Sequence, residues 1–107
     1  MNLHQQQIAD TASTLIEAAD KIFMATYGEH NKYIQEAAVA INDYDDDSSA
    51  EDIEYHASNA ISCLEEAKDA DLRDGYLNAA YANVIEAAIN AIEELRETDY
   101  NEETDND

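Results

Sequence analysis

Apolar residues recur along this chain at spacings of three and four, which is the period of one face of an α-helix. The first such stripe runs from about Gln5 to Tyr27 and is followed directly by Gly28. Its members are Ile8, Ala12, Leu15, Ala19, Ile22 and Thr26, widened by Ile16 and Phe23. Glycine readily adopts the left-handed conformation that ends many helices. The pattern therefore predicts a first amphipathic helix that ends at Tyr27.

A second, shorter stripe begins after Asn31, whose side-chain oxygen makes it a favourable N-cap residue. The inward positions of this stripe are Ile34, Ala37, Ala38 and Ile41. Four aspartates then fall within five residues, from Asp43 to Asp47. Aspartate side chains compete for nearby backbone groups, so this run suits a loop better than a helix interior. We therefore expect the second helix to end at Asp43.

The third stripe follows a sequence that is typical of a helix start. Ser48 with Glu51, or Ser49 with Asp52, offers the reciprocal hydrogen bonds of a capping box. The core positions of this stripe are Ile53, Ala57, Ala60, Ile61, Leu64 and Ala67. The other side is a polar row of Asp47, Glu51, Glu54, Ser58, Ser62, Glu65 and Asp69. The helix should break near residues 71–75, which end in an Asp-Gly turn signal.

The last stripe is broad and runs from about Tyr76 to Glu97. It consists of Leu77, Tyr81, Val84, Ala88, Ala91 and Leu95, with Ile85, Ile89 and Ile92 beside them. A face of this width suits either the central helix of a bundle or a surface that pairs two chains. Residues 99–107 show no periodicity, and we predict that they form a disordered acidic tail.

The composition favours helices throughout the chain. The 107 residues include no proline and only two glycines, so few strong helix breakers are present. A hydrophobic content of 45% supports one small core, and the chain is too short for two. Short connections favour antiparallel neighbours. We predict an all-α fold in which residues 1–98 form a single antiparallel bundle of about four helices, followed by the tail.

The chain is strongly acidic, with 26 Asp and Glu against 5 Lys and Arg and a formal net charge of -21. Folding brings these like charges together, which lowers the stability of the compact state. The charge argues against direct binding to nucleic acids or anionic membranes, because their phosphates would repel it. It favours a basic protein as the partner.

Three observations favour an intracellular protein. Cys63 is the single cysteine, so no internal disulfide can form. The first residues lack the basic and apolar segments of a secretory signal. No run of about 18 apolar residues is present that would span a bilayer. We therefore expect a cytoplasmic location without membrane association.

One pattern resembles a metal site, because Asp43, Asp45, Asp47 and Glu54 occupy positions 1, 3, 5 and 12 of an EF-hand calcium loop. Against it, position 6 holds serine where the sharp turn requires glycine. Calcium binding therefore stays an alternative. Zinc and di-metal sites require more Cys or His, or Glu-x-x-His pairs, than the chain offers. No catalytic set appears, and Cys63 lies beside the apolar stripe, so we expect a non-enzymatic protein without a cofactor.

The acidic residues suggest how the chain would bind a basic protein. Carboxylates at positions i and i+4 of a helix are separated by a rise of about 6 Å, so rows of acids can approximate the spacing of phosphates. A protein that binds DNA through Lys and Arg gains the same release of counterions from such a row. The predicted contact residues are the carboxylates Asp43, Asp45, Asp46, Asp47, Glu51, Asp52, Glu54, Glu65, Glu66, Asp69, Asp71 and Asp74, with Tyr44 and Tyr55 as contact anchors.

The size, acidity, helix content and lack of a catalytic set resemble the small acidic DNA-mimic proteins of phages and mobile elements. Such proteins inhibit restriction enzymes, CRISPR effectors or other DNA-binding proteins. The resemblance implies stoichiometric inhibition of a nuclease or DNA-binding protein in the host cytoplasm, often by a homodimer. Two further alternatives stay open. One is an acidic adaptor or immunity-type protein that binds a single basic enzyme, and the other is an acidic surface that serves solubility or growth in high salt.

Overall fold

The computed structural model describes residues 3–42, 50–70, 72 and 75–105, with side chains as far as Glu97 except that of Ala50. Within these residues the chain forms four α-helices and no strand. The helices are α1 (Leu3–Tyr27), α2 (Lys32–Asn42), α3 (Ala50–Lys68) and α4 (Gly75–Asp105). The prediction of an all-α fold is confirmed.

The four helices form a closed ring of neighbours. α1 and α3 each pack against both α2 and α4. α3 and α4 run antiparallel, because Glu54 bonds to Arg96, whereas the later residue Lys68 bonds to the earlier residue Glu86. The connection between α1 and α2 covers only residues 28–31, and such short connections join antiparallel neighbours. This arrangement is the predicted antiparallel bundle.

The core is built from alanine, isoleucine and leucine side chains of all four helices, together with Tyr81. Every core position predicted for α3 is buried. On α4 the buried side chains are Tyr81, Ile85, Ala88, Ile92 and Leu95. Because α4 contacts both α1 and α3, its apolar stripe closes the bundle within one chain.

The boundary between α1 and α2 follows the sequence prediction. Gly28 has a φ of 74°, and its N–H donates to the carbonyl of Met24 at 2.7 Å, which ends α1. The side-chain oxygen of Asn31 accepts from the N–H groups of Tyr33 at 2.9 Å and Ile34 at 3.3 Å, which caps the start of α2. Both assignments are confirmed.

The end of α4 differs from the prediction, and the residues predicted to cap the start of α3 lie outside the described residues. The backbone of α4 is helical to Asp105, whereas the sequence predicted an end at Glu97. The apolar stripe ends at Leu95, so periodicity had no further signal with which to extend the helix. Side chains beyond Glu97 and the capping serines at 48 and 49 lie outside the described part of the chain. The capping box and the disorder of residues 99–107 stay predictions.

A network of polar groups, which we call the Tyr81 network, joins all four helices at one end of the bundle. The Tyr81 hydroxyl donates to the carbonyl of Ala67 at 2.7 Å and accepts from Nδ2 of Asn31 at 3.3 Å. One carboxylate oxygen of Asp20 accepts from the N–H of Asn31 at 3.2 Å, and the other meets Nδ1 of His30 at 2.5 Å. Burial, and then the charge of Asp20, raises the pKa of Tyr81 to about 12. The phenol is therefore a neutral donor at physiological pH.

Candidate partner-binding surface

The predicted polar row of α3 faces solvent. Its described members are Glu51, Glu54, Ser58, Ser62, Glu65 and Asp69, all of them exposed. Spacings of three and four place them along one line of the helix. The row is not charged along its whole length, because two serines occupy its middle. The carboxylates on either side of this gap, Glu54 and Glu65, are separated by a rise of about 16 Å.

α4 carries a neighbouring row that the sequence analysis did not single out. It consists of Glu86, Asn90, Glu93 and Glu97, all of them exposed. Glu65 and Asp69 of α3 line the same surface hollow as Glu86 and Asn90 of α4, so the two rows lie side by side. The spacing of four, three and four residues was the signal that could have found this second row.

Two ion pairs join α3 and α4, each between a carboxylate of one row and a cation of the other helix. Nε and Nη2 of Arg96 donate to the two carboxylate oxygens of Glu54 at 3.1 and 2.7 Å. Near the other end, Nζ of Lys68 donates to Oε1 of Glu86 at 2.9 Å. Because the helices are antiparallel, the first turns of α3 lie beside the later turns of α4.

This register gathers the carboxylates into two clusters, which together we call the acidic face. The Arg96 cluster is defined as Glu54, which bonds to Arg96, together with the exposed carboxylates of the two rows within one turn of this pair, namely Glu51, Glu93 and Glu97. The Lys68 cluster contains Glu65, Asp69 and Glu86. Along the two rows, the uncharged residues Ser58, Ser62 and Asn90 separate these carboxylates. Asn90 lines the hollow of the Lys68 cluster, and Ser62 also lines a hollow between α2 and α3. Carboxylates outnumber the cations within each cluster, so both ends of the face keep a net negative charge.

Within the acidic face, the Glu54 carboxylate is favoured in its ionised form. The hydrogen bonds from Arg96 hold the pKa of Glu54 below its ordinary value, although partial burial acts in the opposite direction. The Glu54 and Arg96 side chains are 56% and 35% exposed, so solvent screens their attraction. We conclude that this pair positions a charge at the surface more than it stabilises the fold.

The structure divides the predicted contact residues into three sets. Four lie on the acidic face, namely Glu51, Glu54, Glu65 and Asp69. Three are exposed nearer to α2 or at the crest of α3, namely Asp52, Tyr55 and Glu66. The remaining seven, Asp43, Tyr44, Asp45, Asp46, Asp47, Asp71 and Asp74, lie outside the described residues.

A second surface feature lies between α2 and α3, and we call it the α2–α3 groove. It is lined by Glu36, Val39, Tyr55, His56, Asn59 and Cys63, among others. Val39 is 60% exposed and Tyr55 is 65% exposed. The ring of Tyr55 meets that of His56 edge-on at a centroid distance of 5.4 Å. Tyr55 is therefore exposed and lines the same hollow as another exposed apolar side chain, and its role as a contact anchor stays a prediction.

Cys63 lies at the edge of this groove. Its thiol donates to Oε2 of Glu36 at 3.7 Å. Burial, and then the negative charges of Glu36 and Glu66, raise the pKa of Cys63 above its ordinary value. A raised pKa disfavours the thiolate, which is the nucleophilic form.

Within the described ranges, no group of three or more His, Cys, Asp or Glu side chains is placed to hold a metal ion. Glu54, the last ligand position of the EF-hand pattern, directs both carboxylate oxygens to Arg96. The three aspartates of that pattern lie outside the described residues.

Comparison with known proteins gives no relative. A scan against protein-family models, a search of curated proteins and a search of solved structures returned no match. Among the helices as far as they are described, none is long and apolar enough to cross a membrane. A function must therefore be inferred from the fold and surface of this chain.

Proposed function

We propose that this chain is a non-enzymatic inhibitor that imitates the phosphates of DNA and occupies the nucleic-acid-binding site of a host nuclease or other DNA-binding protein. The observation that carries the proposal is the acidic face, where two packed helices each present exposed carboxylates that uncharged residues separate along the row. An ordered array of this kind presents charge at fixed positions.

The helices that carry the carboxylates are held by a packed interior. Leu64 of α3 and Ile92 of α4 are fully buried beneath the exposed rows. Because the backbone is already ordered, a partner would not have to order it on binding, which lowers the entropic cost of association. A disordered acidic segment lacks this advantage.

The two clusters resemble one feature of a duplex. DNA presents two lines of phosphates on either side of a groove, and the major groove is about 12 Å wide. The rise of about 16 Å between Glu54 and Glu65 is of the same order. A basic site that fits phosphates across a groove could therefore meet both clusters at once.

The overall charge supports the same function. The chain has only 5 Lys and Arg for 26 Asp and Glu, and two of these cations, Lys68 and Arg96, already lie in the acidic face. A basic partner would release counterions on binding, so its affinity should fall steeply as salt is added.

The first experiment is capture from nuclease-treated bacterial lysate with the purified full chain as bait. We expect that duplex DNA elutes the bound partner at constant ionic strength, whereas polyglutamate of equal charge does so poorly. Mass spectrometry then identifies the eluted protein. A partner that DNA cannot release would instead favour the adaptor function and overturn the proposal.

A pair of matched variants tests the acidic face itself. The triple variant Glu51→Gln, Glu65→Gln and Asp69→Asn removes three charges from the face and leaves both ion pairs intact. The control, Asp10→Asn, Glu17→Gln and Glu29→Gln, removes three exposed charges elsewhere. We expect the first variant to inhibit DNA binding by the captured protein roughly tenfold less well, since three exposed ion pairs are together worth about 1–2 kcal/mol. If both variants lost the same amount of inhibition, net charge alone would account for it, and this result would contradict DNA mimicry.

A further inference from the structure

The α2–α3 groove has a chemistry that differs from that of the acidic face. Its exposed apolar side chains, Val39 and Tyr55, border the same hollow. Most large apolar side chains of the described residues are turned inward, and these two exposed ones, which we call the patch, line one groove. Tyrosine is also one of the residues that most often contribute strongly to binding energy at interfaces.

Carboxylates stand around this patch. Glu36 lies within 3.7 Å of the Cys63 thiol at one end, and the charge of Glu66 also acts on that thiol. Toward the other end, Asp52 is exposed and precedes Tyr55 by one helical turn. Among the described residues that line the groove, none is Lys or Arg. The groove therefore combines the apolar side chains of Val39 and Tyr55 with polar side chains of α3, and carboxylates lie near both of its ends.

The length of the site matches a short helix. From Asp52 to Glu66 the rise along α3 is about 21 Å, which equals about four turns of a helix laid beside it. Helices that bind in grooves insert apolar side chains spaced by three or four residues. Positive charges on such a segment would complement the carboxylates at both ends.

We propose that the α2–α3 groove binds a basic amphipathic helix of the target protein, with an apolar side chain between Val39 and Tyr55 and Lys or Arg side chains at the two acidic ends. This inference deepens the proposed function and rests on it, because it assigns a second contact with the same target. The acidic face would provide the part of the affinity that depends on salt. The groove would provide an apolar part that selects one target among many basic proteins.

The test uses the full chain and a synthetic peptide of about 14 residues, designed as a basic helix with two leucines and a tryptophan on one face. A peptide of identical composition in scrambled order lacks the amphipathic face, and an equally charged peptide with alanine in place of the apolar residues lacks the anchor. Affinity is measured by calorimetry, and the site is mapped by amide chemical shifts. We expect the designed peptide to bind at least fivefold more tightly than either control, with shifts confined to α2 and α3.

Two variants locate the binding. Tyr55→Ala and Val39→Ser should each weaken binding of the designed peptide at least fivefold, and both side chains are exposed, so the fold should be retained. Tyr76→Ala provides the matched control, because Tyr76 is 90% exposed and lies at the start of α4. It should leave the affinity unchanged.

Several outcomes would overturn the inference. Equal binding of the three peptides, or an unchanged affinity in the Tyr55→Ala variant, would mean that charge alone attracts the peptide. Sedimentation showing a dimer that Tyr55→Ala dissociates would mean that a second copy of the chain covers the groove. Either result leaves DNA-released capture of a target unaffected, so failure of this inference and failure of the proposed function are distinguishable.

Discussion

The Tyr81 network and the acidic face both rely on polar side chains, yet their surroundings give them opposite properties. Tyr81 is fully buried, and its hydroxyl has both a donor and an acceptor partner. On the acidic face, Glu54 is 56% exposed and its contact with Arg96 is screened by water. Buried hydrogen bonds are costly to break, whereas exposed ion pairs contribute little. One region therefore fixes the fold, and the other is available to a partner.

The difference also explains how one chain can carry so much charge. The interior contains packed apolar side chains and a few satisfied polar groups, and no buried side-chain polar atom among the described residues lacks a hydrogen-bond partner. The repulsion among carboxylates is confined to the surface, where solvent and salt reduce it. Substitutions in the two regions should therefore have effects of very different size.

The largest effect is expected from Tyr81→Ala. Removing a buried aromatic side chain leaves a cavity and eliminates the hydrogen bonds to Ala67 and Asn31, so the free energy of unfolding should fall by about 3–5 kcal/mol. The same substitution at Tyr55, which is 65% exposed, should change it by less than about 0.5 kcal/mol. Urea denaturation followed by circular dichroism measures both. Similar losses at the two positions would mean that burial does not separate the two regions.

An intermediate effect is expected from Tyr81→Phe, which keeps the ring and removes only the hydroxyl. The Nδ2 group of Asn31 loses an acceptor and the carbonyl of Ala67 loses a donor, so we expect destabilisation of about 1–2 kcal/mol. Tyr55→Phe, at a 65% exposed position, is the control and should be neutral. A neutral result for Tyr81→Phe would show that the ring alone accounts for the role of this residue.

The raised pKa of Tyr81 allows a second test with the Tyr81→Phe variant, namely the dependence of its stability on pH. The unfolded chain loses this proton near the ordinary tyrosine pKa of about 10, whereas the folded chain keeps it until about pH 12. The stability that the neutral phenol provides is therefore present below pH 10 and lost as pH rises toward 12. In the Tyr81→Phe variant, the free energy of unfolding should therefore fall less as pH rises from about 10 to about 12. An unchanged alkaline slope would contradict the assignment.

The sequence alone predicted the parts of the fold that depend on local pattern. Gly28 and Asn31 act within a few residues of their own positions, and the stripe of α3 identifies its buried face without reference to other helices. Leu72 was not predicted to be buried, because it lies in a connection where no periodicity exists. Local signals were sufficient for helices and their caps, but not for connections.

Contacts between helices could not be predicted in this way. Arg96 meets Glu54 across 42 positions of sequence, and Tyr81 meets Asn31 across 50. Periodicity gives the face on which a side chain lies but not the register between helices. That register decides which charged side chains of different helices become neighbours. The sequence therefore listed acids of the candidate site, whereas the structure added Glu86, Glu93 and Glu97 and divided the face into two clusters.

The smallest effect is expected on the acidic face, from Glu54→Gln. At neutral pH the substitution removes an exposed pair with Arg96, which is worth about 0.2–1 kcal/mol. It also removes one negative charge from a chain of net charge -21, which relieves repulsion and opposes the loss. Glu51→Gln is the matched control, because Glu51 lies one turn away on the same row and its removal leaves the Arg96 pair in place. The difference in unfolding free energy between the two variants measures the contribution of the Glu54–Arg96 pair.

The pH dependence of that difference tests its cause. The pKa of Glu54 is lower in the folded chain than in the unfolded chain, since Arg96 bonds to the ionised form. The stabilisation is therefore present above the unfolded-state pKa and is lost as pH falls through the lower folded-state value. We expect Glu54→Gln to be less stable than Glu51→Gln at pH 7. The difference in unfolding free energy should disappear in acid and become smaller in high salt. A gap that persists after Glu54 is protonated would come from packing, and the acidic face would then share the structural role of the Tyr81 network.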